Sequence, residues 1–217
     1  MFEPPPGYED MLADAEESIY SSAWVKLDVP QIGTVTARRP LPDGAALLAM
    51  AANPKLGHAK QVEYLMRFVN HHVSAEDVER VYFAMMMDEM PADSIERLSR
   101  AVATWGTARP YTAVVSLTVM TAYHWRTIRQ KLLMAGVLDA MNLPSMHALL
   151  DVAEAMAVES ASNDDDPRAA VNGLYRRLYA VTPDLVALNG EDYRPAPPGF
   201  EPDEVEDSFD AFARAAR

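Results

Sequence analysis

Between Trp105 and Ser160 the chain reads WGTARPYTAVVSLTVMTAYHWRTIRQKLLMAGVLDAMNLPSMHALLDVAEAMAVES, apolar at helical spacing and punctuated only where helices begin and end. Arg109-Pro110 pairs a residue biased away from the helix with a proline suited to a first turn, so a helix starts there. Tyr111, Val114, Val115, Leu117, Val119, Met120, Tyr123, Trp125, Ile128, Leu132 and Leu133 spread apolar surface over more than one face, which predicts a helix at the axis of the core. Gly136 supplies the left-handed residue that ends it. A second long helix is expected with Pro144 in its first turn. Met146, Leu149, Leu150, Val152, Ala153, Met156 and Ala157 keep the period until the polar run Ser160 to Asp166.

The same reading extends from Leu41 to about Leu188. Asp43 is expected to cap a helix over Gly44–Asn53 closed by Pro54, and His58–Val73 carries Val62, Leu65, Met66 and Val69 at helical spacing. Ser74 with Asp77 forms a capping-box start. Asp93 or Ser94 opens the next helix, whose stripe Ile95, Leu98, Val102 and Trp105 stops at Gly106, and Pro167–Ala180 gives the last of about seven. The triplet Met85-Met86-Met87 is assigned to the core, the usual place of methionine. Residues 1–40 hold an acidic amphipathic piece, Glu9 to Ile19, and two β-prone runs, Trp24–Val29 and Gly33–Arg39, that pair across Pro30-Gln31-Ile32. Such a hairpin is marginal alone and has to pack on the helices or on another subunit. Residues 189–217 are Pro-rich and acidic, a mobile linker by composition. The predicted architecture is mainly α: an irregular multi-helix bundle over 41–188, with a small N-terminal β-hairpin in 1–40 and a flexible acidic C-terminal tail.

Charge and composition remove several classes of function. A net charge of −13 opposes nucleic acid and anionic membrane as partners, since both demand basic surface. With no cysteine, disulfide and thiolate chemistry are excluded. The opening MFEPPPGYED lacks the basic and apolar regions of a signal peptide, and the run Thr112–Tyr123 is too short to span a bilayer. No Gly-rich phosphate loop, nucleophile elbow or paired metal-ligand motif is present, so neither enzyme activity nor a cofactor or metal is expected. His71 and His72 are adjacent and point about 100° apart on a helix, which disfavours a shared metal. His147 and Asp151 could touch one ion, but a partly buried polar contact is the expected role of the histidine. Asn163-Asp164-Asp165-Asp166 lacks the spacing of a calcium loop and is read as a solvated turn capping the next helix.

Binding residues are the remaining candidates. Val205, Phe209, Phe212 and Ala216 share one face of a short terminal helix suited to a partner's groove. Arg109, Trp125, Arg126 and Arg129 are the polar and aromatic members of the long-helix stretch. Arg126 and Arg129, three apart, could hold Asp88, Glu89 or a partner's carboxylate.

The segments WGTARPYTAVVSL, HWRTIRQKLLMAG and LPSMHALLDVAEAMAVES resemble the tail assembly chaperones of long-tailed, siphovirus-type phages of actinobacteria, and the likeness extends over roughly Thr34 to Ala180. The resemblance implies a chaperone that coats the long helical tape measure protein in the host bacterial cytoplasm during tail morphogenesis and is absent from the mature virion. It also implies a longer form made by programmed frameshifting, contact with the tail tube protein, and self-association. The alternative is a structural tail-completion or connector protein of the virion, equally acidic and free of catalysis.

Overall fold

In the computed structural model the described residues are 7–16 and 22–179. They form nine α-helices, one short 3-10 turn and a two-stranded antiparallel hairpin. Val205, Phe209 and Phe212 lie outside the described residues.

Two helices make the centre. α2 (Pro42–Ala51) buries seven of its residues, among them Gly44, Ala45, Ala46 and Ala49. Small side chains let four neighbours approach it: α1 (Gly7–Glu16), α3 (His58–His72), α6 (Tyr111–Tyr123) and α8 (Met146–Ser162). α6 buries Ala113, Val114, Leu117, Thr118, Thr121 and Ala122. The two threonine hydroxyls are satisfied within the helix, Thr118 donating to Val115 O at 2.8 Å and Thr121 to Leu117 O at 2.7 Å. Around this pair sit α4 (Ala75–Met86), α5 (Ser94–Ala103), α7 (Trp125–Met134) and α9 (Pro167–Leu178).

Many helix ends fall where local chemistry puts them. Ser74 caps α4 by accepting the Asp77 N–H, Asp166 caps α9 by accepting the Ala169 N–H, and Gly106 and Gly136 take φ of +88° just past α5 and α7. The acidic run before α9 is thus a capping turn. Two starts differ from expectation. Asp43 lies inside the first turn of α2, after the cap residue Leu41, and its carboxylate accepts the Gly44 N–H at 2.9 Å. Ser145 caps α8 by accepting the Ala148 N–H, which leaves Pro144 outside the helix.

The long helix expected from Pro110 to Gly136 is two helices, α6 and α7, broken at His124 (φ −107°, ψ 21°). Eight helices therefore follow residue 41 among the described residues, rather than about seven. The break keeps its hydrogen bonds, His124 N–H to Met120 O and Ile128 N–H to His124 O, and turns Trp125 fully into the core. α1 crosses at this corner so closely that a Cβ on Gly7 would lie 2.1 Å from Ala122 O.

The hairpin is β1 (Trp24–Val29) and β2 (Gly33–Arg38), paired from Trp24↔Arg38 to Val29↔Gly33 with the predicted loop between them. Val35 and Ala37 are buried in the common core. The outer edge of β2 is tied to the α3–α4 junction: Ser74 N–H donates to Thr36 O at 2.9 Å and Thr36 N–H to Asp77 Oδ2 at 2.7 Å. Packing on helices thus supplies the support that a lone hairpin lacks.

Candidate functional site

Arg109, in the loop before α6, is buried and anchors a polar clasp. Its guanidinium donates to Glu154 Oε2 at 3.0 and 2.6 Å and to Asp151 Oδ1 at 2.6 Å, while Tyr179 O–H donates to the other Glu154 oxygen at 2.8 Å. Burial works against the charge on Arg109, and the bonds from Asp151 and Glu154 outweigh it, so its pKa is raised. Burial, then the Glu154 carboxylate, raises that of Tyr179. The clasp locks the α5–α6 loop to α8 and to the end of α9. His147 stands nearby, its Nε2 3.3 Å from Trp105 O, with burial lowering its pKa. It makes the polar contact expected of it, whereas Asp151 belongs to Arg109.

Trp125, Arg126 and Arg129 meet α1. Trp125 Nε1–H donates to Asp14 Oδ2 at 2.6 Å, Arg126 pairs with Asp10 at 2.5 Å, and Arg129 with Asp14 at 3.1 Å. Tyr8 packs edge-on against Tyr123, ring centroids 5.4 Å apart, and burial pushes its pKa up to about 12. The acidic neighbours of these arginines are therefore Asp10 and Asp14, not Asp88 or Glu89. They lie more than a hundred residues away in sequence, beyond the reach of helix-spacing rules.

Beside the clasp, α8 and α9 form a helical hairpin that packs on α6, and between the hairpin and the α6–α7 corner lies an open cavity of about 680 Å³. Its floor is small and apolar, with Ala153, Ala157, Ala161, Ala170 and Gly173 flanked by Met120, Met156 and Leu174. Asp164, Asp166 and Arg177 stand among its polar lining. The alanine spacing on α8 is visible in sequence, but its face is not, because α8 also turns Leu149 and Leu150 into the core.

Exposed apolar side chains gather elsewhere. Met85 packs against the core, but Met86 is 82% exposed, Met87 56% and Phe83 64%, so the methionine triplet is only partly internal. Positions 83–86 sweep a full turn of α4, Met87 follows at its end, and the helix packs on one side only. Met134 and Leu138 are exposed at the far end of α7.

Titratable groups also meet between α2 and α3. His71 Nε2 lies 3.0 Å from Asp43 Oδ2, and the rings of His71 and His72 stand 5.0 Å apart at 75°. The two rings come this close although their side chains leave the helix about 100° apart. Among the described residues no helix is long and apolar enough to cross a membrane.

No curated protein and no solved structure matches the chain. Residues 120–217 match a family of unknown function, DUF7240, over less than half of the chain. A profile described as phage tail assembly chaperone protein matches residues 1–110, which take in α1, the hairpin and α2 to α5 and make up just over half of the chain, and the protein therefore belongs to that family.

Proposed function

We propose that this tail assembly chaperone binds the phage tape measure protein in the host cytoplasm, keeps it soluble while the tail tube assembles around it, and leaves before the virion is complete. The observation that carries the proposal is the cavity between α6, α8 and α9, whose alanine and glycine floor lets another helix backbone approach closely. A long helical client offers an apolar stripe of matching shape, in the manner of a helix laid into a groove. The net charge of −13 keeps a protein with exposed Phe83 and Met86 dispersed while it engages such a client. Binding alone serves this role, and no catalytic step enters it. Many copies cover one client, so the chain self-associates, together with a frameshifted longer form, and meets tail tube protein as polymerisation displaces it.

The test is co-expression with the tape measure protein of the same genome, followed by pull-down and a solubility comparison. Solubilised, co-purifying client is expected. Replacing half-buried Ala157 in the cavity floor with Glu is expected to abolish capture while the helical circular dichroism stays unchanged. Capture that survives Ala157→Glu but is lost on deletion of residues 189–217 would move the binding surface to Val205, Phe209 and Phe212. A client neither bound nor solubilised, with the chain present in purified particles, would replace the chaperone role with that of a tail-completion or connector protein.

A further inference from the structure

The first turn of α2 and the last turn of α3 bring three metal-ligating side chains to one point. One ligand atom each of Asp43, His71 and His72 lies within 4.8 Å of the other two, and the closest pair, Asp43 Oδ2 and His71 Nε2, is 3.0 Å apart. Bonds of about 2.0–2.2 Å to a tetrahedral ion hold ligand atoms roughly 3–3.5 Å from one another, so small side-chain rotations close the set around a metal.

Three features orient these groups. His72 Nδ1 lies 2.7 Å from Phe68 O. A carbonyl only accepts, so Nδ1 carries the proton and Nε2 keeps its lone pair, which is the arrangement of a histidine oriented for a metal by a backbone carbonyl. Gly44 makes room for that ring: a Cβ there would lie 3.1 Å from His72 Cε1 and 3.2 Å from Nε2. The second oxygen of Asp43 accepts the Gly44 N–H and fixes the carboxylate plane. His72 and Asp43 are buried, while the His71 side chain is 41% exposed, so the cluster has a wet side. Arg38 donates to His71 O at 2.6 Å and brings one opposing charge, which the Asp43 carboxylate offsets.

We propose that Asp43, His71 and His72 bind a divalent transition metal, Zn²⁺, with water as the fourth ligand, clamping α2 to α3. Two imidazoles and a carboxylate suit zinc and leave one position open. The metal replaces the Nε2 proton of His71, which moves to Nδ1 of the same ring, and His72 binds in the tautomer it already has.

The experiment is calorimetric titration of the chelator-treated full chain with Zn²⁺ alone, with Co²⁺ as a spectroscopic substitute. Uptake of one ion per chain, a visible Co²⁺ band of tetrahedral intensity, and an unfolding midpoint that rises with Zn²⁺ concentration are expected. His71→Ala is expected to weaken binding at least tenfold, since even outer-sphere changes cost 10–100-fold at zinc sites. His71 is partly exposed, so this variant keeps the fold, and Asp43→Asn repeats the test without loss of volume. His58→Ala, at an exposed histidine remote from the cluster, is expected to bind as the parent does. No uptake by the parent, or equal uptake by His71→Ala and Asp43→Asn, overturns the proposal.

Discussion

Replacing Arg109 with Met leaves Glu154 in a site from which its counter-charge has gone, and the structure sets the size of the effect. Both side chains are only 8% exposed, so water cannot take over the lost bonds without opening the α8–α9 hairpin. Removing one member of a buried pair costs about 3–5 kcal/mol. Asp151 adds little, because its side chain is 63% exposed and turns to solvent, an interaction worth at most about 1 kcal/mol. Glu154 keeps the Tyr179 hydroxyl at 2.8 Å, which favours the lower end, so about 3 kcal/mol is expected. For a domain of this size that lowers the thermal midpoint by roughly 6–12 °C. Urea unfolding followed by far-ultraviolet circular dichroism gives the value directly. The double variant Arg109→Met with Glu154→Gln is expected to recover part of the loss, since it removes the unpaired buried charge and keeps an acceptor for the Tyr179 hydroxyl. A single-variant cost below about 1 kcal/mol would show that the clasp is solvated and that the reasoning is wrong.

Gly7→Ala places a methyl group against Ala122 O and is expected to detach α1, at a cost of about 1–3 kcal/mol, read as a red shift of Trp125 emission and faster proteolysis near residue 16; an unshifted spectrum refutes it. Burial holds His72 neutral with its pKa lowered from 6.5 to about 4, so the unfolded chain binds the proton more readily. Its contribution to stability is complete above about pH 6.5 and lost as pH falls towards 4. Asp77, held at about 2 because the Thr36 N–H, Ser74 and Arg80 outweigh the burial that opposes its charge, extends the acid limb from about pH 4 to 2. Urea midpoints measured against pH are expected to show both steps, and Asp77→Ala is expected to cost about 1–2 kcal/mol at neutral pH and remove the lower one.

Where structure is decided within a few residues, it was legible in the sequence. Gly106 and Gly136 stop helices because φ of +88° suits only glycine, Ser74 and Asp166 cap because their side chains reach their own first turns, and Trp24–Arg38 alternates as a hairpin must. The break at His124 carries no Pro or Gly. It comes from the crossing of α1 and from the burial of Trp125, both tertiary effects. Arg109 was identifiable as a special residue, but its partners Asp151, Glu154 and Tyr179 were not, since helix period says which face a carboxylate occupies and not which loop lies opposite. Met86 and Met87 fail as core residues for the same reason: a run of apolar residues longer than one face must leave some of them outside.

The bonds of α1 to α7 span 111 to 116 residues, and this fixes an order of events when the chain folds as it is made. α1 can settle on α2 soon after that helix appears, because α2 is near in sequence and packs directly on α1. Asp10 and Asp14 must wait for Trp125, Arg126 and Arg129. At 5–20 residues per second that delay is roughly 5–20 s. The acidic face of α1 therefore stays open until the α6–α7 corner has been made, and among the described helices only α8 and α9 are made later.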